Sequence, residues 1–335
     1  MKITAGKLAG MKAVSDPRGV IAAAAMDQRG SLKKALAKEK GGDISDHDLE
    51  EFKTLVTEVL TPHASAILLD PEWGIPASTH RAKNAGLLMA YEKTGYDKTG
   101  VGRLPDLLDV WSVRRIKEAG ADCIKILLYY TPFDARAINE TKHAWIERIG
   151  DECRANDIPF FLELVGYEEG ADEKGPEFAK KKPEVVAASV REFSKDRYGV
   201  DVLKIEIPIN LKFVDGARAS SGTSVYSKQA AADAFHRAAD ATAKPFIYLS
   251  AGVSNAEFTE SLELAADAGV PFSGVLCGRA TWKDGIAVYG QQGADAFRRW
   301  LEKDGVRNIE NVNAHLAPAR PWFERYGAAS ADELR

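Results

Sequence analysis

Eight short apolar segments alternate with helical patterns along the chain, and this alternation constrains the fold more than any other feature. Each segment is typical of a strand buried on both faces, because it is rich in branched or small apolar residues. The predicted strands cover residues 19–30, 65–71, 86–92, 122–130, 159–167, 201–210, 245–253 and 272–280. No pattern that favours an antiparallel hairpin separates them. We therefore predict an α/β fold with a closed (β/α)8 (TIM) barrel, because an open doubly wound sheet rarely needs eight strands.

The segments between these strands predict the helices of the barrel. Ser45 and Asp48 have capping-box spacing at the start of the second helix. We expect Val110, Val113 and Ile116 to face inward from the third. The predicted helices cover residues 31–40, 44–63, 105–119, 133–156, 184–196, 227–242 and 255–269, with one further helical turn in 72–85. The chain after Trp282 has a mostly helical pattern. We therefore expect one domain over residues 1–335 with a helical C-terminal tail from about residue 290.

Two connections between the predicted elements are long. They cover residues 168–183 after the fifth strand and 211–225 after the sixth. Both lie at the carboxyl-terminal rim of the predicted barrel, where barrel enzymes build their sites. Either both are solvated loops or one of them acts as a lid.

Composition excludes several classes of partner. The chain has 335 residues, a formal net charge of −4 and a pI near 6.0, so nothing favours binding to nucleic acid or to an anionic membrane. Its three cysteines form no C-x-x-C pair, and we expect the reduced cytoplasm as its compartment. The first residues are too polar for a signal peptide, and no apolar run approaches the about 20 residues that span a bilayer.

Three of the predicted strands carry one charged residue within an apolar run. Lys125 lies in DCIKILLYY, Glu163 in PFFLELVGY and Lys204 in DVLKIEIPIN. A single lysine of this kind usually reaches water or forms an ion pair, but three such strands are hard to explain by packing. If the charges face the lumen, strands four to six bring them side by side, and Asp27 at the end of the first strand reaches the same place.

Two lysines beside a carboxylate are suited to imine catalysis. A lysine amine is a nucleophile only when it is neutral. A second ammonium about 4 Å away costs about 4 kcal/mol at an effective dielectric near 20, which brings a lysine pKa from about 10.4 down to about 7 to 8. The alternative is a buried Lys-Glu-Lys ion network without chemistry, which contributes little net stability.

The ends of strands seven and eight predict an anion site. Glycines there let backbone N–H groups approach a ligand, and barrels commonly bind phosphate at these loops. Each glycine turn alone is weak evidence, but two at the ends of consecutive strands favour phosphate. Gln28 or Arg29, after the first strand, would meet a second anionic group. The candidates in LSAGVS and LCGRATW are Ser250, Ala251, Gly252, Gly278 and Arg279.

These motifs together resemble the tagatose-bisphosphate aldolase family of class I aldolases. The resemblance runs to about residue 313 and is weakest at 217–224 and after 318. It implies that Lys204 forms the Schiff base, that Glu163 is the acid/base carboxylate, and that Asp27 and Lys125 support them. It also implies that 250–252 and 278–279 are the phosphate loops. The motifs that carry it are AAAAMDQRGSLKKAL, LLDPEWGIPAS, LLMAYEKTGYD, GRLPDLLDVWSVRRIKEAGAD, KILLYY, ERIGDEC, IPFFLEL, VDVLKIEIPIN, YLSAGVS and GVLCGRATW.

The function that the resemblance implies is reversible cleavage of D-tagatose 1,6-bisphosphate to dihydroxyacetone phosphate and D-glyceraldehyde 3-phosphate, without metal or cofactor. Because the tagatose and fructose bisphosphates differ only at C4, we expect loose selectivity between them. Similar aldolases of fructose bisphosphate or of a sulfosugar phosphate, 6-deoxy-6-sulfofructose 1-phosphate, remain alternatives. A metal-dependent class II aldolase is disfavoured, because the six histidines show no H-x-H or H-E-x-x-H spacing. A sugar-phosphate sensor on the same barrel would not need the three charges. We expect a cytoplasmic homo-oligomer.

Overall fold

The computed structural model describes residues 2–93 and 100–335, and it confirms the predicted barrel. Residues 94–99, which include the end of the LLMAYEKTGYD motif, lie outside the described residues. Parallel strands pair in the order of the sequence, and the eighth pairs with the first to close the sheet. The strands are β1 (Ile21–Ala25), β2 (Ala66–Leu69), β3 (Gly86–Ala90), β4 (Cys123–Tyr130), β5 (Phe160–Gly166), β6 (Val202–Glu206), β7 (Phe246–Leu249) and β8 (Gly274–Cys277).

Helices cover the outside of the strands, as the alternation predicts. The capping box at Ser45 is present, since its side chain accepts from the N–H of Asp48 and the Asp48 carboxylate accepts from the N–H of Ser45. The helices are α1 (Ala5–Ala13), α2 (Gly30–Lys40), α3 (Asp46–Leu60), α4 (Ile75–Ser78), α5 (Val113–Glu118), α6 (Arg136–Ala155), α7 (Pro176–Phe193), α8 (Lys228–Ala239), α9 (Asn255–Asp267), α10 (Arg279–Trp282), α11 (Gly285–Gln292), α12 (Ala294–Trp300) and α13 (Val306–Ala314).

The apolar core has two parts. One lies between the strands and the surrounding helices, and the other fills the barrel with side chains such as Ala23, Leu88, Phe161 and Val202. The small residues of β1 leave room for larger neighbours across the lumen. The barrel is filled below, and the buried charges of Lys125, Glu163 and Lys204 lie towards the carboxyl-terminal ends of the strands, which we call the upper end.

The lower end of the barrel is closed by both ends of the chain. Helix α1, which the sequence did not predict, contributes Leu8 and Met11 to the cluster inside the barrel. From the C-terminal side, Trp322 and Leu334 join the same cluster, and both are buried. The two termini thus form a plug that is separated from the upper end by the filled lumen. None of the helices in the described residues has the length and apolarity that crossing a membrane requires.

The predicted start of the third barrel helix at residue 105 is wrong. Helix α5 begins only at Val113, because the hydroxyl of Ser112 accepts from the N–H of Arg115 and caps it there. The residues ahead of it pair back onto the end of β3, with Leu107 in an antiparallel bridge to Glu92. Val113 and Ile116 are buried as expected, but Val110 is 68% exposed.

The predicted start of the fifth-strand crossover helix at residue 184 is also wrong. Helix α7 begins at Pro176, where proline suits the first helical position, and it continues through Pro183. A proline inside a helix leaves the carbonyl four residues earlier without its partner. Here that carbonyl, of Ala179, accepts a hydrogen bond from the hydroxyl of Tyr226. The long loop after β5 is therefore shorter than 168–183.

Candidate active site

Three charged side chains meet inside the barrel because their neighbouring strands direct them into the lumen. Glu163 on β5 lies opposite Lys204 on β6. Lys125 on β4 lies opposite Phe161, two residues before Glu163, so its Cα lies one side-chain step nearer the lower end. Parallel strands with period-two alternation thus point all three side chains at one spot.

Lys125 is the centre of this cluster. Its ammonium nitrogen lies 2.8 Å from Oδ2 of Asp27, 2.8 Å from Oε1 of Glu92 and 2.8 Å from Oε2 of Glu163. The side chain is 0% exposed. All three N–H bonds of the ammonium therefore have a carboxylate acceptor, which is the arrangement that a buried charge requires.

Lys204 contacts the same oxygen of Glu163 from the other side. Its Nζ lies 3.0 Å from Oε2 of Glu163, and its side chain is 4% exposed. Glu163 therefore bridges two lysines, one fully enclosed and one at the wall of the open space above. This is the geometry in which one carboxylate can pass a proton to or from an amine.

The charges in the cluster shift one another's protonation. Burial disfavours the charge of Lys125, but the carboxylates of Asp27, Glu163 and Glu92 outweigh it and raise the pKa of Lys125 well above its usual value. Burial alone would raise the pKa values of Asp27 and Glu163, but Lys125 and Lys204 outweigh it and lower both. Burial dominates at Glu92 and raises its pKa. Asp27 and Glu163 are thus the ionised partners of the two lysines.

A cavity of about 610 Å³ opens above the cluster. Lys204, Glu163 and Asp27 line it, whereas Lys125 lies beneath its floor. Gln28 also lines the cavity, and its buried Oε1 has no hydrogen-bond partner among the residues that the structure describes. The space has the size of a small-molecule site.

The loops after β7 and β8 form one wall of the cavity. Ala251 and Gly252 have positive φ values of 47° and 77°, which turn the loop after β7 sharply. Gly252 lies directly against Arg279, since a Cβ at residue 252 would be 2.7 Å from the guanidinium carbon. The guanidinium of Arg279 is exposed, and no hydrogen bond or ion pair joins it to any residue that the structure describes. All five residues predicted for the anion site line the cavity: Ser250, Ala251, Gly252, Gly278 and Arg279.

A family model described as DeoC/LacD family aldolase matches residues 21–284, which span all eight strands. The chain belongs to the DeoC/LacD family of aldolases. It is therefore an enzyme, a lyase of carbohydrate metabolism that breaks a carbon–carbon bond.

Relatives of this DeoC/LacD aldolase match it over nearly its whole length. The tagatose 1,6-diphosphate aldolase of Listeria monocytogenes is 52% identical over 330 residues, which cover 98% of this chain and 97% of the relative. The tagatose 1,6-diphosphate aldolase 2 of Streptococcus pyogenes is 52% identical over 309 residues, or 92% and 94% of the two chains. Among solved structures, the fructose-bisphosphate aldolase of Plasmodium falciparum superposes with a TM-score of 0.68 at 16% identity, covering 96% and 97%, which supports the fold.

The structure of this DeoC/LacD aldolase places Arg29 away from the cavity. Its guanidinium is 2% exposed, and it lies 2.8 Å from Oε2 of Glu72 and 2.7 Å from the carbonyl oxygen of Glu92. Arg29 is absent from the cavity lining, whereas its neighbour Gln28 is present. The expected role of Arg29 as a substrate ligand therefore has no geometric support, because its guanidinium is enclosed and bonded to Glu72 and Glu92.

Sequence reasoning missed several residues of the site. Glu92 closes the apolar run of the third strand, and the criterion that selected Lys125 and Glu163 would have selected it too. Lysines from the neighbouring loops and helices also line the cavity, and nothing in their sequence context distinguishes them from surface lysines. They are Lys174, Lys182, Lys212 and Lys283. The described residues contain no group of three or more His, Cys, Asp or Glu side chains arranged to hold a metal ion.

Proposed function

We propose that this protein is a class I, Schiff-base aldolase that reversibly cleaves D-tagatose 1,6-bisphosphate to dihydroxyacetone phosphate and D-glyceraldehyde 3-phosphate. The observation that carries the proposal is the 3.0 Å contact between Nζ of Lys204 and Oε2 of Glu163 at the wall of the cavity. The substrate is supported by the two relatives named above, which are 52% identical and carry the name tagatose 1,6-diphosphate aldolase.

In this mechanism Lys204 is the nucleophile. Its neutral amine attacks C2 of the ketose, and the carbinolamine loses water to give an iminium ion. The iminium draws the electron pair of the C3–C4 bond, so the aldehyde leaves and an enamine remains on Lys204. Protonation at C3 and addition of water then release dihydroxyacetone phosphate and restore the amine.

Glu163 is the proton carrier of the proposed reaction. It takes the proton of the Lys204 ammonium, passes it to the departing hydroxyl of the carbinolamine, and then accepts the proton of the C4 hydroxyl as the carbon–carbon bond breaks. Its position supports these tasks, because it lines the cavity and contacts Lys204. The charges of Lys125 and Asp27 influence the protonation of Glu163. Lys125 does not line the cavity, so it does not contact the substrate in this proposal.

The phosphate next to the ketone is bound, in this proposal, by the loops after β7 and β8. Arg279 supplies an unpaired guanidinium at the cavity wall, and Ser250 and Gly252 supply a hydroxyl and a close approach of backbone. The second phosphate is met by Gln28 or by lysines from the far loops, such as Lys174 or Lys212, which line the same space.

The proposed enzyme also has a defined cofactor requirement, compartment, oligomeric state and selectivity. We infer that it needs no metal or cofactor, that it acts in the cytoplasm as a homo-oligomer, and that it accepts both C4 epimers. Supporting the compartment, Cys123, Cys153 and Cys277 are all free and buried. Turnover that survives a millimolar chelator supports the metal-free reaction, and loss of turnover contradicts it.

Trapping of the imine tests the mechanism. Borohydride added with D-tagatose 1,6-bisphosphate should leave one reduced adduct on the wild-type chain, and peptide mass spectrometry should place it on Lys204. Lys204→Ala should give no adduct, since it lacks the amine. D-Fructose 1,6-bisphosphate should label the same residue, with kcat/KM values for the two sugars within about a hundredfold.

Labelling of Lys125 in the Lys204→Ala variant would mean that the nucleophile is on the fourth strand. No adduct in the wild-type protein, with turnover intact, would remove the Schiff-base mechanism altogether.

A further inference from the structure

A buried lysine outside the cavity holds the backbone on both sides of Asp27. Lys53 projects from α3, is 0% exposed, and is not among the residues that line the cavity. Its Nζ lies 2.8 Å from the carbonyl oxygen of Met26, 2.8 Å from that of Gln28 and 2.5 Å from Oδ2 of Asp70. The two carbonyls belong to the residues immediately before and after Asp27.

The backbone groups next to Asp27 have few other hydrogen bonds in the described residues. Residues 26–29 follow the end of β1 and have neither helical nor strand geometry. Met26 is tied to the second strand through its N–H, which donates to the carbonyl of Leu68 at 2.7 Å. Beyond that bond, Lys53 supplies the contacts to the carbonyls that flank Asp27.

The acceptor that anchors Lys53 is itself fixed. Asp70 follows β2, is 0% exposed, and its Oδ1 accepts from the N–H groups of Glu72 and Trp73 at 3.1 and 3.0 Å. Glu72 pairs in turn with Arg29, and Arg29 donates to the carbonyl of Glu92. One connected frame therefore supports Asp27 and Glu92, two of the three carboxylates around Lys125.

We propose that Lys53 is a positioning residue of the active site, which fixes Asp27 at the distance where its carboxylate pairs with Lys125. The proposal extends the proposed function, because it gives the Lys125–Glu163–Lys204 cluster an external support. If Lys53 served only to stabilise the fold as an ion pair, its contact with Asp70 would be sufficient. The two further bonds to the carbonyls around Asp27 are the feature that a positioning role explains.

A mutant cycle with Asp27 tests the proposal. In Lys53→Met/Asp70→Asn both charges are removed together, and the asparagine keeps an acceptor for the two N–H groups. We expect kcat to fall about tenfold to a hundredfold, as displacement of a catalytic group by about 1 Å can do. In an Asp27→Asn background the same pair of changes should lower kcat by less than about twofold, because the group being positioned is already disabled. An equal loss in both backgrounds would overturn the proposal.

A second variant separates the carbonyl bonds from the ion pair and applies even if the double variant does not fold. Asp70→Asn alone leaves Lys53 in place to donate to the carbonyls of Met26 and Gln28. We expect it to lose stability but to keep kcat within about threefold of wild type. A loss in Asp70→Asn as large as a hundredfold would mean that the ion pair, and not the hold on Asp27, matters for catalysis.

A partly buried Lys–Asp pair at the lower end of the barrel is the control, with side chains that are 12% and 13% exposed. Lys7 lies 2.8 Å from Asp201, and Asp201 precedes β6 at the end remote from the cavity. Lys7→Met/Asp201→Asn should reduce stability and leave kcat unchanged in both Asp27 backgrounds. The cycle uses turnover alone, so it can fail while borohydride trapping succeeds, and trapping can fail while the cycle succeeds.

Discussion

Lys125 has three carboxylates around it and no access to the cavity, which changes the role expected from its sequence position. As a lone cation it would act only by repelling the proton of Lys204. In the structure it also holds Asp27 and Glu163 in their ionised form, because its charge is a major cause of their lowered pKa values. Its removal would leave three carboxylates close together, and like charges raise one another's pKa.

Lys125→Met should therefore move the acidic limb of the kcat/KM profile to higher pH, since Glu163 would hold its proton to a higher pH. Imine trapping on Lys204 should remain possible but slower at neutral pH. Profiles between about pH 4 and 9 measure the effect, with Lys7→Met as a variant that should keep the wild-type profile. An acidic limb that does not move would show that Lys125 has no influence on Glu163.

The same pKa shifts fix the sign of the dependence of stability on pH. Because the folded-state pKa values of Asp27 and Glu163 lie below their ordinary values of 3.8 and 4.5, their ion pairs stabilise the fold above those ordinary values. That contribution is lost as pH falls through the folded-state values. In Lys125→Met this acid-dependent contribution should be smaller.

Among single residues, the sequence predicts the charged residues that interrupt apolar strands. It does not predict those that lie in amphipathic helices or loops, where charged residues are common. Lys125, Glu163 and Lys204 interrupt apolar strands, and their meeting follows from the barrel. Lys53 lies in an amphipathic helix, where a lysine normally faces water, and only the packing of α3 on the barrel buries it. The direction of the Arg29 side chain does not follow from the sequence, because no regular alternation applies after a strand ends and its contacts with Glu72 and Glu92 set that direction.

Among the elements, the loop between β7 and α9 has the most direct effect on substrate binding. Gly252→Ala should raise KM for the bisphosphate about tenfold or more and change kcat little. The new methyl group would lie only 2.7 Å from the guanidinium carbon of Arg279 and would therefore push the guanidinium away. The substitution should also cost about 1 kcal/mol of stability, since residue 252 has a φ of 77°.

Gly269→Ala is the matched control for this variant. Gly269 follows α9 with a φ of 71°, and a Cβ there would meet no atom within 4 Å. Its backbone cost is similar, but Arg279 is untouched, so KM should stay at the wild-type value. Equal KM values for the two variants would place Arg279 in the scaffold and not in the phosphate site.

The two helix starts that the sequence misplaced share a physical cause, which is tertiary bonding that local patterns do not contain. Nothing near Pro183 in the sequence announces that Tyr226, more than forty residues away along the chain, supplies a donor for the carbonyl of Ala179. Likewise, residues 106–108 bond to the end of β3, and this pairing takes them out of the predicted helix.

On the scale of the whole molecule, stability and chemistry lie at opposite ends of one barrel. We propose that the chain, including its C-terminal helices, is a single domain. Trp322→Ala should lower the free energy of unfolding by about 3–5 kcal/mol, because it opens a cavity where Trp322 is 1% exposed in the lower plug. Activity per folded molecule should be unchanged, since the filled lumen separates the plug from Lys204.

Urea titrations followed by fluorescence and by circular dichroism measure this prediction. For one domain the two signals should change together in both proteins. Phe133→Ala, at a side chain that is 56% exposed, should change stability by less than about 0.5 kcal/mol. A Trp322→Ala protein with normal stability, or with two separate transitions, would contradict the single-domain proposal.

The plug also brings the two ends of the chain together, with the N–H of Ile3 donating to the carbonyl of Leu334 at 3.0 Å. Both termini therefore leave the molecule on the face that points away from the substrate entrance. A tag, a fused enzyme or a solid support joined at either terminus would leave that entrance clear. Molecules attached in this way to a surface would all present their cavities outward, and an array of such enzymes would receive its substrate directly from the solution above it.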